Sequence, residues 1–181
     1  MTVKEFDEFV ERQRSGASND SQVNWDRERD EWLAHLEALY SKIESFLGKY
    51  ISSGQIDIKY KLIDLNERDI GSYQARQMIL RIGRQEVDIT PLGTLFMLYN
   101  GIVEVVGTAG KSSLVLVGKN RVSAVPKVIV QISTGGIPSG PTVPQGKIDL
   151  VWKIQARPPA QQLFELTHES FYQLIMEVTN G

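Results

Sequence analysis

The sequence reads WLAHLEALYSKIESFLGKY over residues 32–50 and IDIKYKL over residues 56–62, and the hydrophobic pattern changes between these two runs. In the first run, apolar residues recur at spacings of three and four, which is the period of an α-helix. In the second run, apolar and charged residues alternate, which is the period of a half-buried strand. The sequence therefore predicts a long helix over residues 25–51, capped by Asn24 and followed at once by a β-sheet.

The apolar stripe of this helix is wide enough to pack on a sheet or on a second protein. Aromatic side chains anchor protein interfaces, so the stripe is our candidate interaction surface. Its members are Trp25, Trp32, Leu36, Leu39, Ile43 and Phe46. Packing of the same stripe on the chain's own sheet is the alternative interpretation.

Short runs with strand character, separated by turn residues, fill most of the remaining chain. We expect strands over residues 56–62, 73–82, 85–90, 94–99, 102–106, 112–117, 128–132, 148–154 and 163–166. A polar connection over 66–69, a break at Pro91 and Gly93, and hairpins at Gly83-Arg84 and Asn100-Gly101 separate the first five. Such tight connections require antiparallel neighbours.

The predicted fold class is α+β, with an antiparallel, strongly twisted or partly barrel-like sheet of about 7–9 short strands. Two helices precede the sheet and a C-terminal helix follows it. Residues 1–24 are expected to form a short helix (3–14) and a polar linker. Residues 25–181 are expected to form a single domain, with the sheet over 55–166 and the last helix over 167–179, capped by Thr167.

Composition and charge exclude several classes of function. Hydrophobic residues make up 41% of the chain and charged residues 23%, which is ordinary globular usage. The formal net charge of −2 gives no general attraction for nucleic acid, and no apolar run is long enough to span a bilayer. The chain has no cysteine, so disulfides and thiolate metal sites are excluded. We expect a soluble protein in the cytoplasm, without a signal peptide.

The run Gly107-Thr108-Ala109-Gly110-Lys111-Ser112 ends like a phosphate-binding loop. That motif needs four residues between its glycines and a helix after it, whereas this run has two residues and continues into a strand pattern. A hairpin turn is the favoured interpretation. No cofactor is expected.

Weak candidates for catalysis are carboxylates and a lysine on predicted strands. Asp57 and Lys59 are spaced like the acidic residue and lysine of a metal-dependent nuclease, and Glu104 and Asp149 offer further carboxylates. Alternating charges on the solvent face of a strand produce the same pattern by chance. The two histidines lack partners at ligand spacing, so no metal site is predicted.

A long loop rich in glycine and proline occupies residues 133–146. Loops of this length often carry function, so Gly135, Gly136, Ser139 and Gly140 are candidate binding positions. A tolerated insertion without a function is the alternative interpretation. The leading functional hypothesis is a protein–protein interaction module rather than an enzyme, with a protein partner or with self-association through the N-terminal helices. The alternative is a metal-dependent hydrolase, or a small-ligand-binding protein that uses the sheet face and the 133–146 loop.

Overall fold

The computed structural model describes residues 24–94, 99–120, 149–157 and 160–180. These residues form two helices and seven strands in the order α1, β1 to β7, α2. The bounds are α1 Trp25–Ser52, β1 Ile56–Glu67, β2 Gly71–Ile82, β3 Gln85–Gly93, β4 Gly101–Val106, β5 Lys111–Gly118, β6 Leu150–Gln155, β7 Leu163–Glu165 and α2 His168–Asn180. The α+β class and the antiparallel sheet are confirmed. The predicted helix 3–14, the strand 128–132 and the loop 133–146 lie outside the described residues.

Each described strand pairs in antiparallel fashion with the next one along the chain, so the strand order is β1-β2-β3-β4-β5-β6-β7. Residues of both helices and alternate residues of the strands share one buried cluster, which places α1 and α2 on the same face of the sheet, here called the inner face. The prediction of a partly barrel-like sheet is wrong, because the described sheet is open, with β1 and β7 at its ends. Within the described residues there are two helices rather than three.

The long helix α1 forms where the 3.6-residue pattern predicts it. The Asn24 side chain accepts a hydrogen bond from the Arg27 backbone N–H (3.1 Å) and so caps the helix start. The Tyr40 hydroxyl donates to the Arg76 carbonyl of β2, which docks the middle of the helix on the sheet. Past the last turn, Gly54 adopts a positive φ of 72°, a conformation that glycine accepts without a steric penalty.

The hairpin of β1 and β2 is a strongly twisted ribbon. Ile58 and Tyr60 pack on the core near its base, whereas Leu65 and Tyr73 do so near its tip, so the inward-facing positions change from even to odd on β1. The right-handed twist of strands, which is largest in two-stranded ribbons, accounts for this change. Between the two sets, Leu62 is 59% exposed. The predicted connection over 66–69 is wrong at its start, because β1 continues to Glu67.

The region around Pro91 departs from the prediction. Strand β3 continues through Pro91 to Gly93 and pairs with β4, with a register shift between these two residues. A proline is tolerated at such a bulge because the ladder hydrogen bond is already interrupted there. Asn100 donates its backbone N–H to Leu116 of β5 (2.8 Å) and Gly101 pairs with Leu116, so these two residues continue the β4–β5 ladder instead of forming the predicted turn. Residues 95–98 lie outside the described part of the chain.

The remaining turns and the last helix match the sequence pattern. Gly83 has a positive φ of 61° between β2 and β3. Gly107 donates its N–H to the Gly110 carbonyl (2.9 Å), so the lysine-containing run forms a hairpin turn. The Thr167 hydroxyl accepts from the Ser170 N–H (3.2 Å) and caps α2. Neither described helix has the length and apolarity that a membrane span requires.

Candidate functional site: a cleft at the start of α1

The structure does not bring the four candidate catalytic residues together. Asp57 and Lys59 lie on β1, whereas Glu104 lies on β4, three strands away and therefore about 14 Å across the sheet. Glu104 forms an ion pair with Lys111 (2.9 Å), and Asp149 immediately precedes β6. Among the described residues, no group of three histidine, aspartate or glutamate side chains is placed to hold a metal ion.

The candidate interaction stripe lies mainly inside the chain's own core. Trp32, Leu36, Leu39 and Ile43 are at most 2% exposed, and Phe46 packs against Phe171 of α2. Trp25 is the exception, because 37% of its surface is exposed at the first turn of α1. The loop candidates Gly135, Gly136, Ser139 and Gly140 lie outside the described residues.

A cleft of about 450 Å³ opens beside the first turns of α1 and is here called the helix-start cleft. Helix α1 forms one side of it, and the chain around β3, β4 and the ends of β5 and β6 forms the other. Its described lining consists of Trp25, Glu28, Glu31, Trp32, His35, Thr94, Tyr99, Asn100, Leu116 and Leu150. The helix residues of this lining recur at spacings of three and four, so they share one face of α1.

The indole of Trp32 is a rigid part of the cleft wall. A Cβ at Gly101 would lie 2.2 Å from Trp32 Cζ3, so only a glycine leaves room for the ring. On another side lies Trp152, with ring centroids 5.9 Å apart, and Trp152 Nε1 donates to the His35 carbonyl (3.0 Å). The Trp32 N–H has no hydrogen-bond partner of good geometry among the described residues.

The buried carboxylate of Glu67 holds one part of the cleft wall in place. Glu67 is 8% exposed and accepts hydrogen bonds from the Thr94 N–H (2.8 Å), the Thr94 hydroxyl (2.9 Å) and the Tyr73 hydroxyl. Gly93 has a φ of +119°, and a Cβ there would lie 2.7 Å from the Glu67 carboxyl carbon. Glu67 therefore ties the end of β1 to the end of β3 and fixes Thr94 at the cleft.

Burial and the neighbouring carboxylate raise the pKa of Tyr73. Burial has the largest effect, followed by the hydrogen bond to Glu67 and the charge of Glu67. The nearby Trp32 indole lowers the pKa by a smaller amount. The Tyr73 phenol therefore stays protonated and acts as a donor to Glu67.

The described lining of the helix-start cleft carries two carboxylates and no lysine or arginine. Glu31 pairs with Arg27 (2.8 Å), but both side chains are exposed, so this ion pair adds little stability. Glu28 lies in the first turn of α1, where a negative charge also stabilises the positive end of the helix dipole. Carboxylates next to the exposed Trp25 ring form an environment that attracts cations.

The sequence contains a signal for one side of this cleft. Trp25, Glu28, Trp32 and His35 fall on one helical face, although the hydrophobic pattern alone draws attention to the tryptophans. Thr94 and the supporting network of Glu67 and Tyr73 have no comparable local signal, because they come from distant parts of the chain.

Comparison of the chain with protein-family models, with curated proteins and with solved structures found no match. Function is therefore inferred from the chain's own residues.

Proposed function

We propose that the protein is a protein–protein interaction module whose helix-start cleft binds a segment of a partner that carries a basic side chain. The observation that supports this function is the lining of the cleft, which joins aromatic rings to two carboxylates without a described lysine or arginine. The absence of cysteine fits a reducing compartment, and the cytoplasm is the proposed location.

Each part of the cleft has a role in this proposal. Glu28 and Glu31 attract the charged group of the partner, and the Trp25 ring offers a cation–π contact worth about 0.5–1 kcal/mol. Leu150, which is half-buried at the cleft, contacts the aliphatic stem of the bound lysine or arginine. Trp32 is held in place and keeps the cleft open, so little conformational order is lost on binding.

A second candidate function is the binding of a small cationic molecule at the same place. The cleft volume of about 450 Å³ favours it, because sites for small molecules commonly measure about 300–1,000 Å³. The two candidates share the chemistry of recognition and differ in the size of the ligand.

Fluorescence anisotropy with three labelled peptides of equal length, one rich in arginine, one in lysine and one in glutamate, tests the proposal. We expect the basic peptides to bind and the acidic peptide to remain free. The double variant Glu28→Gln, Glu31→Gln should weaken binding by roughly 2- to 30-fold, since each exposed ion pair contributes about 0.2–1 kcal/mol. Glu169→Gln is the matched control, because Glu169 lies in the first turn of the other helix.

The outcomes separate the two candidates. Equal affinity for basic and acidic peptides, or an unchanged affinity in the double variant, would contradict both. If spermidine or arginine methyl ester raises Tm and competes fully with the peptides, the small-molecule function is favoured instead. Lack of competition by these molecules, with selective binding of basic peptides, supports the interaction module.

A further inference from the structure

Strand β1 offers a second surface, independent of the helix-start cleft. Among the described strands it pairs only with β2, and it is twelve residues long. In an antiparallel ladder every second residue points its N–H and C=O groups away from its neighbour. One edge of β1 therefore presents backbone donors and acceptors to another strand. This edge is long enough for a second strand to pair with it.

The first half of β1 has separate apolar and charged faces. Ile56, Ile58 and Tyr60 pack on the core at the inner face, so Asp57 and Lys59 lie on the opposite face. Both charged side chains are exposed, and neither forms an ion pair with another described residue. Arg81, which lies opposite Asp57 on β2, pairs with Glu86 instead (3.6 Å). Opposite charges two residues apart on one face are complementary to a second copy of the same strand.

We propose that two copies of this chain associate edge to edge through β1, in antiparallel fashion, about a two-fold axis at Ile58. In this register Asp57 of each copy lies opposite Lys59 of the other, which gives two reciprocal ion pairs. On the inner face, Ile56 of each copy lies opposite Tyr60 of the other. The two sheets then continue across the axis as one.

The charges of β1 select this register over its neighbours. An axis at Asp57, Lys59 or Lys61 places that residue opposite its own copy, so two like charges meet. An axis at Tyr60 places Lys59 opposite Lys61, which again opposes like charges. Directly opposite like charges destabilise a strand pair, whereas directly opposite unlike charges stabilise it. Charged edges usually keep sheets apart, but here the order of the charges makes the edge complementary to itself.

Sedimentation velocity on the full chain, at concentrations up to about 1 mM, tests the association. Asp57→Lys and Lys59→Asp should each raise the dimer Kd by roughly fivefold or more, since each turns two attractive pairs into two repulsive ones. The double variant Asp57→Lys, Lys59→Asp should restore the wild-type Kd to within about threefold. Lys61→Asp is the matched control and should have a smaller effect than Lys59→Asp. Circular dichroism verifies that each variant is folded.

Cross-linking tests the register directly, because the natural chain contains no cysteine. Residues opposite each other on antiparallel strands have Cα atoms about 4.5–5.5 Å apart, which suits a disulfide. Ile58→Cys should therefore form a disulfide-linked dimer on mild oxidation. Asp64→Cys should not, since the two copies of residue 64 lie about 40 Å apart in this register.

The proposal would be overturned by a monomer at every concentration, by a double variant that fails to recover, or by a larger effect from Lys61→Asp than from Lys59→Asp. The last result would indicate an axis at Lys59, where Asp57 and Lys61 face each other. Efficient cross-linking through Tyr60→Cys instead of Ile58→Cys would likewise exclude the Ile58 axis.

Discussion

Replacement of Gly101 by alanine should destabilise the protein through a single steric contact. The added methyl group would lie 2.2 Å from Trp32 Cζ3 and 2.7 Å from Cε3, well inside contact distance. Trp32 is 2% exposed and also packs against Trp152, so the ring cannot move without disturbing the core. Overpacking of this kind costs about 1–3 kcal/mol. In a chain of this size that corresponds to a fall in Tm of roughly 2–12 °C.

Thermal melts of matched variants measure this effect. Gly48→Ala is the control, because Gly48 lies inside α1 and a Cβ there meets no heavy atom within 4 Å. That substitution should stabilise the protein by about 0.5–1 kcal/mol, since alanine is the better helix former. In a Trp32→Phe background, the cost of Gly101→Ala should fall by about 1 kcal/mol or more, because the smaller ring leaves room. A Gly101→Ala variant as stable as the wild type would refute the packing of Trp32 on Gly101.

Three further perturbations probe the core, the Glu67 network and the buried phenols. Ile43→Asp places an unpaired charge at a fully buried position, so circular dichroism should show loss of the cooperative melt; a soluble, folded variant would contradict the core assignment. Glu67→Ala leaves the Thr94 N–H without its acceptor and should cost about 1–3 kcal/mol in urea melts, with a smaller loss for Glu67→Gln. Burial raises the pKa of Tyr40 and Tyr73 in the folded state above the unfolded value of about 10. The stability that these phenols give is therefore fully present below a pH of about 10 and is lost as the pH rises through their pKa in the folded state. In urea melts at alkaline pH, Tyr73→Phe should make the fall of the unfolding free energy with pH shallower.

The parts of the fold that follow from local patterns were predictable. Helix α1 follows from the spacing of Leu36, Leu39 and Ile43, all of which are buried. The hairpin between β4 and β5 follows from the Gly107–Gly110 turn. In both cases the residues that determine the structure are near neighbours in the sequence, so a short window contains the whole signal.

The errors arise where distant residues decide the local structure. The dipeptide Asn100-Gly101 predicts a hairpin, but the Asn100 N–H bonds to Leu116 instead, and Gly101 is required by the Trp32 ring. Glu67 stands in a polar run that predicts a turn, yet it is buried because Thr94, 27 residues away, supplies its donors. A pattern over neighbouring residues contains no information about such contacts between distant parts of the chain.

The same limit applies to the candidate site. The helical face with Trp25 and Glu28 is visible in the sequence as residues at a spacing of three, but nothing in the sequence shows that Asn100 and Leu150 lie across from it. The candidate catalytic residues show the opposite case. The spacing of Asp57 and Lys59 in the sequence suggests a catalytic site. The structure, however, places both residues on the edge strand β1, away from Glu104 and Asp149.

The strand order also has a consequence for how the chain folds. Because every described strand pairs with its neighbour in sequence, most of the sheet can grow by successive closure of short hairpins, each at a low entropic cost. The pairing of β5 with β6 is different, since 31 residues separate Gly118 from Leu150. Closing that segment is the slow step expected in assembly, and β6 brings Trp152 against Trp32 when it docks.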